Sequence, residues 1–133
     1  MPFPNFSKYL IFILLISCSS VKNYDMITYI DQNNNTYRLS PKMISYTGTS
    51  PRNSSSGTYS GGPDKSATIP PTAFQSVVFL SEELIQDSSF HAPRREMTTS
   101  VLKVKQKTGH QEVTLYSSEK RTEFEKLLKQ LLP

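Results

Sequence analysis

The run Val101-Leu102-Lys103-Val104-Lys105 alternates apolar and charged side chains, and residues 112–116 repeat the alternation. Side chains on a strand point to opposite faces in turn, so each run has one apolar face and one solvated face. With Thr108 and Gly109 as turn residues, Lys107 faces His110, Val104 faces Val113 and Leu102 faces Leu115. All four apolar residues then share a face, with Lys103 and Lys105 on the other. A sheet that is apolar on one side only must be covered on that side.

Two stretches have the right period to cover it. Phe124, Leu127, Leu128, Leu131 and Leu132 recur at helical spacing after Ser117 or Ser118, a capping residue type, and Glu125 and Lys129 form an i, i+4 pair. Earlier, Pro70-Pro71 opens a helix in which Phe74, Val77, Val78, Leu84 and Ile85 fall on one face, with Ser81 as the gap. That helix ends near Asp87-Ser88, and Pro93 breaks the connection that follows.

More strands precede the first helix. Ile27-Thr28-Tyr29-Ile30 and Thr36-Tyr37-Arg38-Leu39 flank an Asp-Gln-Asn-Asn-Asn cluster, which reads as a hairpin because Asn tolerates positive φ. Residues 42–47 are a further strand, and Ala67 to Ile69 form a short return strand. The expected fold class is α+β, a mostly antiparallel sheet with two amphipathic helices on one face.

Residues 48–66 are rich in Ser, Gly and Pro and bury little apolar area, so they form a long loop. Tyr59 is the one large side chain within residues 54–62, and Gly61 and Gly62 follow it. Tyr among Ser and Gly makes an adaptable contact surface, so Tyr59, Gly61 and Gly62 are the candidate binding residues. The other reading is a plain long loop.

The N-terminal residues carry an address. Lys8 and the amino terminus are followed by the uncharged Tyr9-Leu10-Ile11-Phe12-Ile13-Leu14-Leu15-Ile16. As a helix this run spans about 12 Å, against about 30 Å of bilayer core, so it suits an export signal and not a span. Leu15-Ile16-Ser17-Cys18 resembles the bacterial lipobox at all four positions. The resemblance implies cleavage between Ser17 and Cys18, a diacylglycerol on the Cys18 thiol and acylation (palmitate or a similar chain) of the new amine. It divides the chain into a signal peptide at 1–17, a lipidated tether at 18–25 and one domain at 26–133. Cys18 is the only cysteine, so lipidation leaves the exported domain without a thiol. Ser19 stands where an Asp typically marks inner-membrane retention, which implies the outer membrane of a bacterial envelope that has one.

Little else points to chemistry. A net charge of +4 without a dense basic stripe does not argue for nucleic acid. No cofactor motif, metal-ligand spacing, small-molecule site or nucleophile–base arrangement is legible. Glu82 and Glu83 are adjacent and point to different sides of a helix. From residue 42 to 132 the order strand, Gly-Gly loop, strand, helix, hairpin, helix is similar to the emfourin-like inhibitors of metallopeptidases. Gly61-Gly62 carries that match, with Pro63 where the family has an aromatic. The chain also resembles small uncharacterised envelope lipoproteins. The expectation is a non-enzymatic lipid-anchored protein, bound to the membrane through Cys18, that binds another envelope protein or supports an assembly. The alternative is an inhibitor of an exported metallopeptidase.

Overall fold

The computed structural model describes residues 23–133. The expected signal at 1–17, the expected cleavage and lipidation residues Ser17 and Cys18, and most of the expected tether lie outside the described residues. Six antiparallel strands form one sheet in the order β4-β3-β2-β1-β5-β6. The strands are β1 (Met26–Ile30), β2 (Thr36–Ser40), β3 (Met43–Thr47), β4 (Lys65–Thr68), β5 (Ser100–Gln106) and β6 (Gly109–Leu115). Helix α1 (Pro71–Gln86) separates β4 from β5, and α2 (Glu119–Gln130) follows β6. The fold is α+β, with both helices over one face.

The alternation within each strand decides that face. One row of cross-strand partners runs Ala67, Ile44, Leu39, Ile27, Val104. The next runs Tyr46, Tyr37, Tyr29, Leu102, Val113. Phe74, Val77, Val78 and Leu84 of α1 and Phe124 and Leu128 of α2 close over these rows. Ser81, the gap in the α1 stripe, is fully buried and returns its hydroxyl to the Val77 carbonyl at 2.8 Å, so the gap sits inside the core. Tyr29 packs edge-on to Phe124 at 5.1 Å between ring centroids. Lys120 and Glu83 join the helices at 2.8 Å, a solvent-screened pair that contributes little.

The C-terminal hairpin corrects the expected register. Gln106 faces Gly109, so Lys107 and Thr108 are the turn residues, and Val104 faces Gln111 while Leu102 faces Val113. The two turn residues keep negative φ, and Gly109 takes the positive one, φ 144°, just after the turn. Glycine thus ends the turn from outside, as in hairpins where a turn of negative φ is followed by a glycine. The slip is by two residues, so Leu102, Val104, Val113 and Leu115 stay on the core face.

Helix α2 is capped by Ser118, whose hydroxyl accepts from the Arg121 N–H at 3.1 Å. The expected Glu125–Lys129 pair is replaced. Glu125 instead meets Arg121 Nε at 3.3 Å and accepts a hydrogen bond from the Tyr29 hydroxyl. Arg121 is 5% exposed, and its guanidinium also donates to the carbonyls of Thr98 at 2.8 Å and Leu115 at 3.3 Å and to Gln32 Oε1 at 3.2 Å.

Burial, and then the hydrogen bond to Glu125, holds the Tyr29 phenol protonated and its pKa far above the ordinary tyrosine value. Burial raises Tyr37 and Tyr46 as well. A folded pKa above the unfolded value of about 10 gives stability that is full below that pH and declines as pH rises toward the folded value. Urea unfolding between about pH 8 and 11 should therefore show a falling midpoint above about pH 10. Tyr29→Phe should reduce that fall while lowering stability at neutral pH by about 1–2 kcal/mol. An unchanged alkaline slope in this variant would remove Tyr29 from the account.

Candidate functional site

The Asp31–Asn35 turn, the loop between β3 and β4, and the segment before β5 meet at one end of the sheet. The turn is built as the asparagines suggest. Asp31 Oδ1 accepts from the N–H groups of Asn33 at 2.9 Å and Asn35 at 3.0 Å, and Asn34 has φ 67°. Asparagine reaches that conformation at lower cost than most side chains.

Asn35 opens β2's approach and is buried. Its carboxamide joins the turn to the long loop. Nδ2 donates to Asp31 Oδ2 at 3.0 Å and to the Tyr59 hydroxyl at 2.9 Å, and Oδ1 accepts from the Thr49 N–H at 2.9 Å. Thr49 is itself buried and donates its hydroxyl to the Asn33 carbonyl at 2.8 Å. The far side of the loop is closed by Gly61 N–H to the Thr49 carbonyl at 2.8 Å and by the Tyr46 hydroxyl to the Gly61 carbonyl at 2.6 Å. The loop is thus anchored at both ends, and between them lies only a short 3-10 turn, Pro51–Asn53. β4 begins at Lys65, two residues before the expected return strand, so the loop is shorter than residues 48–66.

The two candidate glycines have different reasons to be glycine. A Cβ on Gly61 would collide with Asn35 Oδ1 and lie 2.7 Å from Gly48 Cα. Gly61 therefore permits two backbone segments to touch. Gly62 has φ 85° and open space around it, so its requirement is conformational. Tyr59, by contrast, is half-buried: its hydroxyl is held by Asn35, and the side chain lines a cleft of about 450 Å³. Ser54, Ser55, Asn33, Arg95 and Met97 line the same cleft. Gly61 and Gly62 line another, of about 440 Å³, with Lys65, Lys129 and Leu132. The loop is the wall between the two, so Tyr59 and the glycines do not share one pocket.

Arg95 supplies the third side. It donates to the Asp31 carbonyl at 2.8 Å, to Asn34 Oδ1 at 2.9 Å and to the Thr99 carbonyl. Partial burial pulls its pKa below the usual guanidinium value, and the group remains a cation at neutral pH. Met97 next to it is 89% exposed. The cleft therefore offers one cation, Arg95, one carboxylate, Glu96, several amide and hydroxyl groups, and two adaptable apolar surfaces, Tyr59 and Met97. Such a set can make contacts and hydrogen bonds with another surface. Among the described residues no group of three or more His, Cys, Asp or Glu could hold a metal ion, and no helix is long and apolar enough to cross a membrane. The two histidines are separate: His91 Nε2 bonds the Leu84 carbonyl at 2.8 Å, and His110 is exposed on β6.

Sequence reasoning missed Asn35 and Arg95. Asn35 read as part of a turn, and Arg95 as part of a Pro-broken connection. Neither has a local signal, because the partners of both are distant in sequence.

The chain matches no protein-family model, no curated protein and no solved structure. The loop surface has to follow from its own bonds. Asn35→Ala strands the Thr49 N–H and frees Tyr59, so it should cost about 1–3 kcal/mol and expose residues 50–60 to limited proteolysis. Gly61→Ala should open the loop in the same assay, whereas Gly62→Ala should cost about 1–2 kcal/mol with the loop still closed. Equal protease resistance of all three variants and the parent would contradict this anchoring.

Proposed function

We propose that this protein is a lipid-anchored envelope lipoprotein that holds a partner protein at the Tyr59 end of its sheet, without catalysis of its own. The anchor rests on the lipobox resemblance of Leu15-Ile16-Ser17-Cys18. The observation that carries the binding part is the anchored loop, with Tyr59 and Met97 beside Arg95 on the rim of a cleft. An aromatic fixed by one hydrogen bond presents contact area with little entropy left to lose on binding. The position also supports the reading. The chain enters β1 at Met26, and the Asp31–Asn35 turn lies at the other end of that strand. A tether before β1 leaves the loop end directed away from the attachment point. The order of elements from β3 to α2 keeps inhibition of an exported metallopeptidase as the specific form such binding could take.

Tyr59→Ala and Tyr59→Phe separate contact from packing. Both lose the Asn35 hydrogen bond, so both should lose about 1 kcal/mol of stability. Only Tyr59→Ala removes the ring, and it should reduce partner recovery from detergent-solubilised envelopes at least tenfold, as loss of an interface aromatic does. Recovery of every partner at parental levels with Tyr59→Ala would refute the loop as the contact surface. Mass spectrometry of the mature N-terminus checks the anchor: a chain beginning at Cys18 with diacylglycerol is expected, and an unlipidated chain beginning elsewhere would refute it.

A further inference from the structure

Among the described residues both helices cover one face of the sheet, and no helix covers the other. Across that open face the register places Met26 beside Lys105 and Lys105 beside His110. Met43 joins the same row through its partner Ser40. Met26 and Met43 are 41% and 51% exposed, the most exposed large apolar side chains on the strands described. The adjacent row carries Arg38, Thr28, Lys103 and Glu112. The open face of the strands thus has three cations, Arg38, Lys103 and Lys105, against one carboxylate, Glu112, which stands 3.9 Å from Lys103. Asp25, in the bend before β1, is an exposed carboxylate where the chain arrives at this end of the sheet. The helical layer is different: α1 and α2 carry five carboxylates against four cations.

The basic face also lies where the chain arrives from its N-terminal segment. The Asp25 N–H donates to the Lys105 carbonyl at 2.8 Å. Lys42, in the β2–β3 turn, and Lys107, in the β5–β6 turn, are exposed at that same end of the sheet. From Cys18 to Asp25 is seven residues, which span at most about 25 Å when fully extended. A lipid on Cys18 would therefore keep this end of the sheet within one tether length of the bilayer.

We infer that the open face around Met26, Met43, Lys103 and Lys105 docks on the anionic phospholipid headgroups of the leaflet that holds the anchor. This rests on the lipoprotein reading and deepens it. Lysines are attracted to the negative surface potential, and exposed methionines between them have an apolar boundary to enter. An acyl anchor and a basic patch together hold a protein more firmly than either alone. Docked in this way, the domain lies with its helices outward and its Tyr59 end free.

The test uses the full processed chain, reconstituted from detergent into vesicles of phosphatidylcholine alone or phosphatidylcholine with phosphatidylglycerol. A soluble acetylating reagent then labels lysines, and peptide mass spectrometry reads Lys103, Lys105 and, on α2, Lys126 as the internal reference. Lys103 and Lys105 should label several-fold more slowly than Lys126 relative to the neutral vesicles, only when phosphatidylglycerol is present. The protection should vanish at about 1 M salt, where the Debye length is about 3 Å. It should also vanish at Lys105 in Lys103→Glu. Equal labelling in both vesicles overturns the docking surface, as does salt-sensitive capture of an acidic protein with the lysines unprotected. The same digest reports the mass at Cys18. A lipidated chain without protection defeats the docking surface alone. An unlipidated chain protected by added anionic vesicles defeats the anchor and leaves the docking surface standing.

Discussion

Arg121 is a guanidinium 5% exposed to solvent, and the groups that satisfy it come from much of the molecule. Its own helix supplies Glu125, the end of β6 supplies the Leu115 carbonyl, the segment before β5 supplies Thr98, and the β1–β2 turn supplies Gln32. Glu125 in turn holds the hydroxyl of Tyr29, in the middle of the sheet. A buried cation left without these partners would be strongly destabilising, so they must all be in place together. One side chain therefore sets α2, β1, β6 and the β1–β2 turn against one another. Its gain is specificity of arrangement more than net stability, since a buried ion pair is at best a modest contributor.

The loop end of the sheet is built on the same logic. Arg95 ties the β1–β2 turn to the segment before β5, and Asn35 ties that turn to the β3–β4 loop. Loops connect at the surface and are ordinarily the mobile part of a fold. Here the loop is held by the amide and hydroxyl groups of buried Asn35 and Thr49 and half-buried Tyr46, and by backbone contact through Gly61. Tyr59 and Met97 then stand on a fixed rim. At the other end of β1, where the N-terminal segment arrives, the surface is basic and carries methionine. The two ends of the sheet thus carry different surfaces, a hydrogen-bonded rim at one and exposed lysine turns at the other.

Much of the fold was legible because periodicity survives local error. The apolar face of the β5–β6 hairpin came out correctly although its register was read two residues off, since an even slip keeps every side chain on its face. Phe124 and Leu128 were legible from helical spacing, and Pro70-Pro71 from the fixed φ of proline. The pairing of β1 with β5 was not, because nothing local encodes contact between strands so far apart in sequence. Arg121 lies on the α2 stripe three residues before Phe124, but a charged residue at a helix start normally reads as solvated. At the site, composition singled out Tyr59, whereas Gly61 and Gly62 turned out to have separate structural reasons. Asn35 and Arg95 act only through distant partners, and no spacing reveals such partners.

Amide hydrogen exchange tests most directly whether the loop end is a preformed surface. The Thr49 N–H is bonded to Asn35 Oδ1 and the Gly61 N–H to the Thr49 carbonyl, whereas Ser55 lies in the exposed middle of the loop. Thr49 and Gly61 should exchange slowly, on the scale of the edge-strand amides, with Ser55 exchanging orders of magnitude faster. Exchange of Thr49 and Gly61 as fast as Ser55 would contradict a fixed rim and leave Tyr59 on a loop with no defined surface.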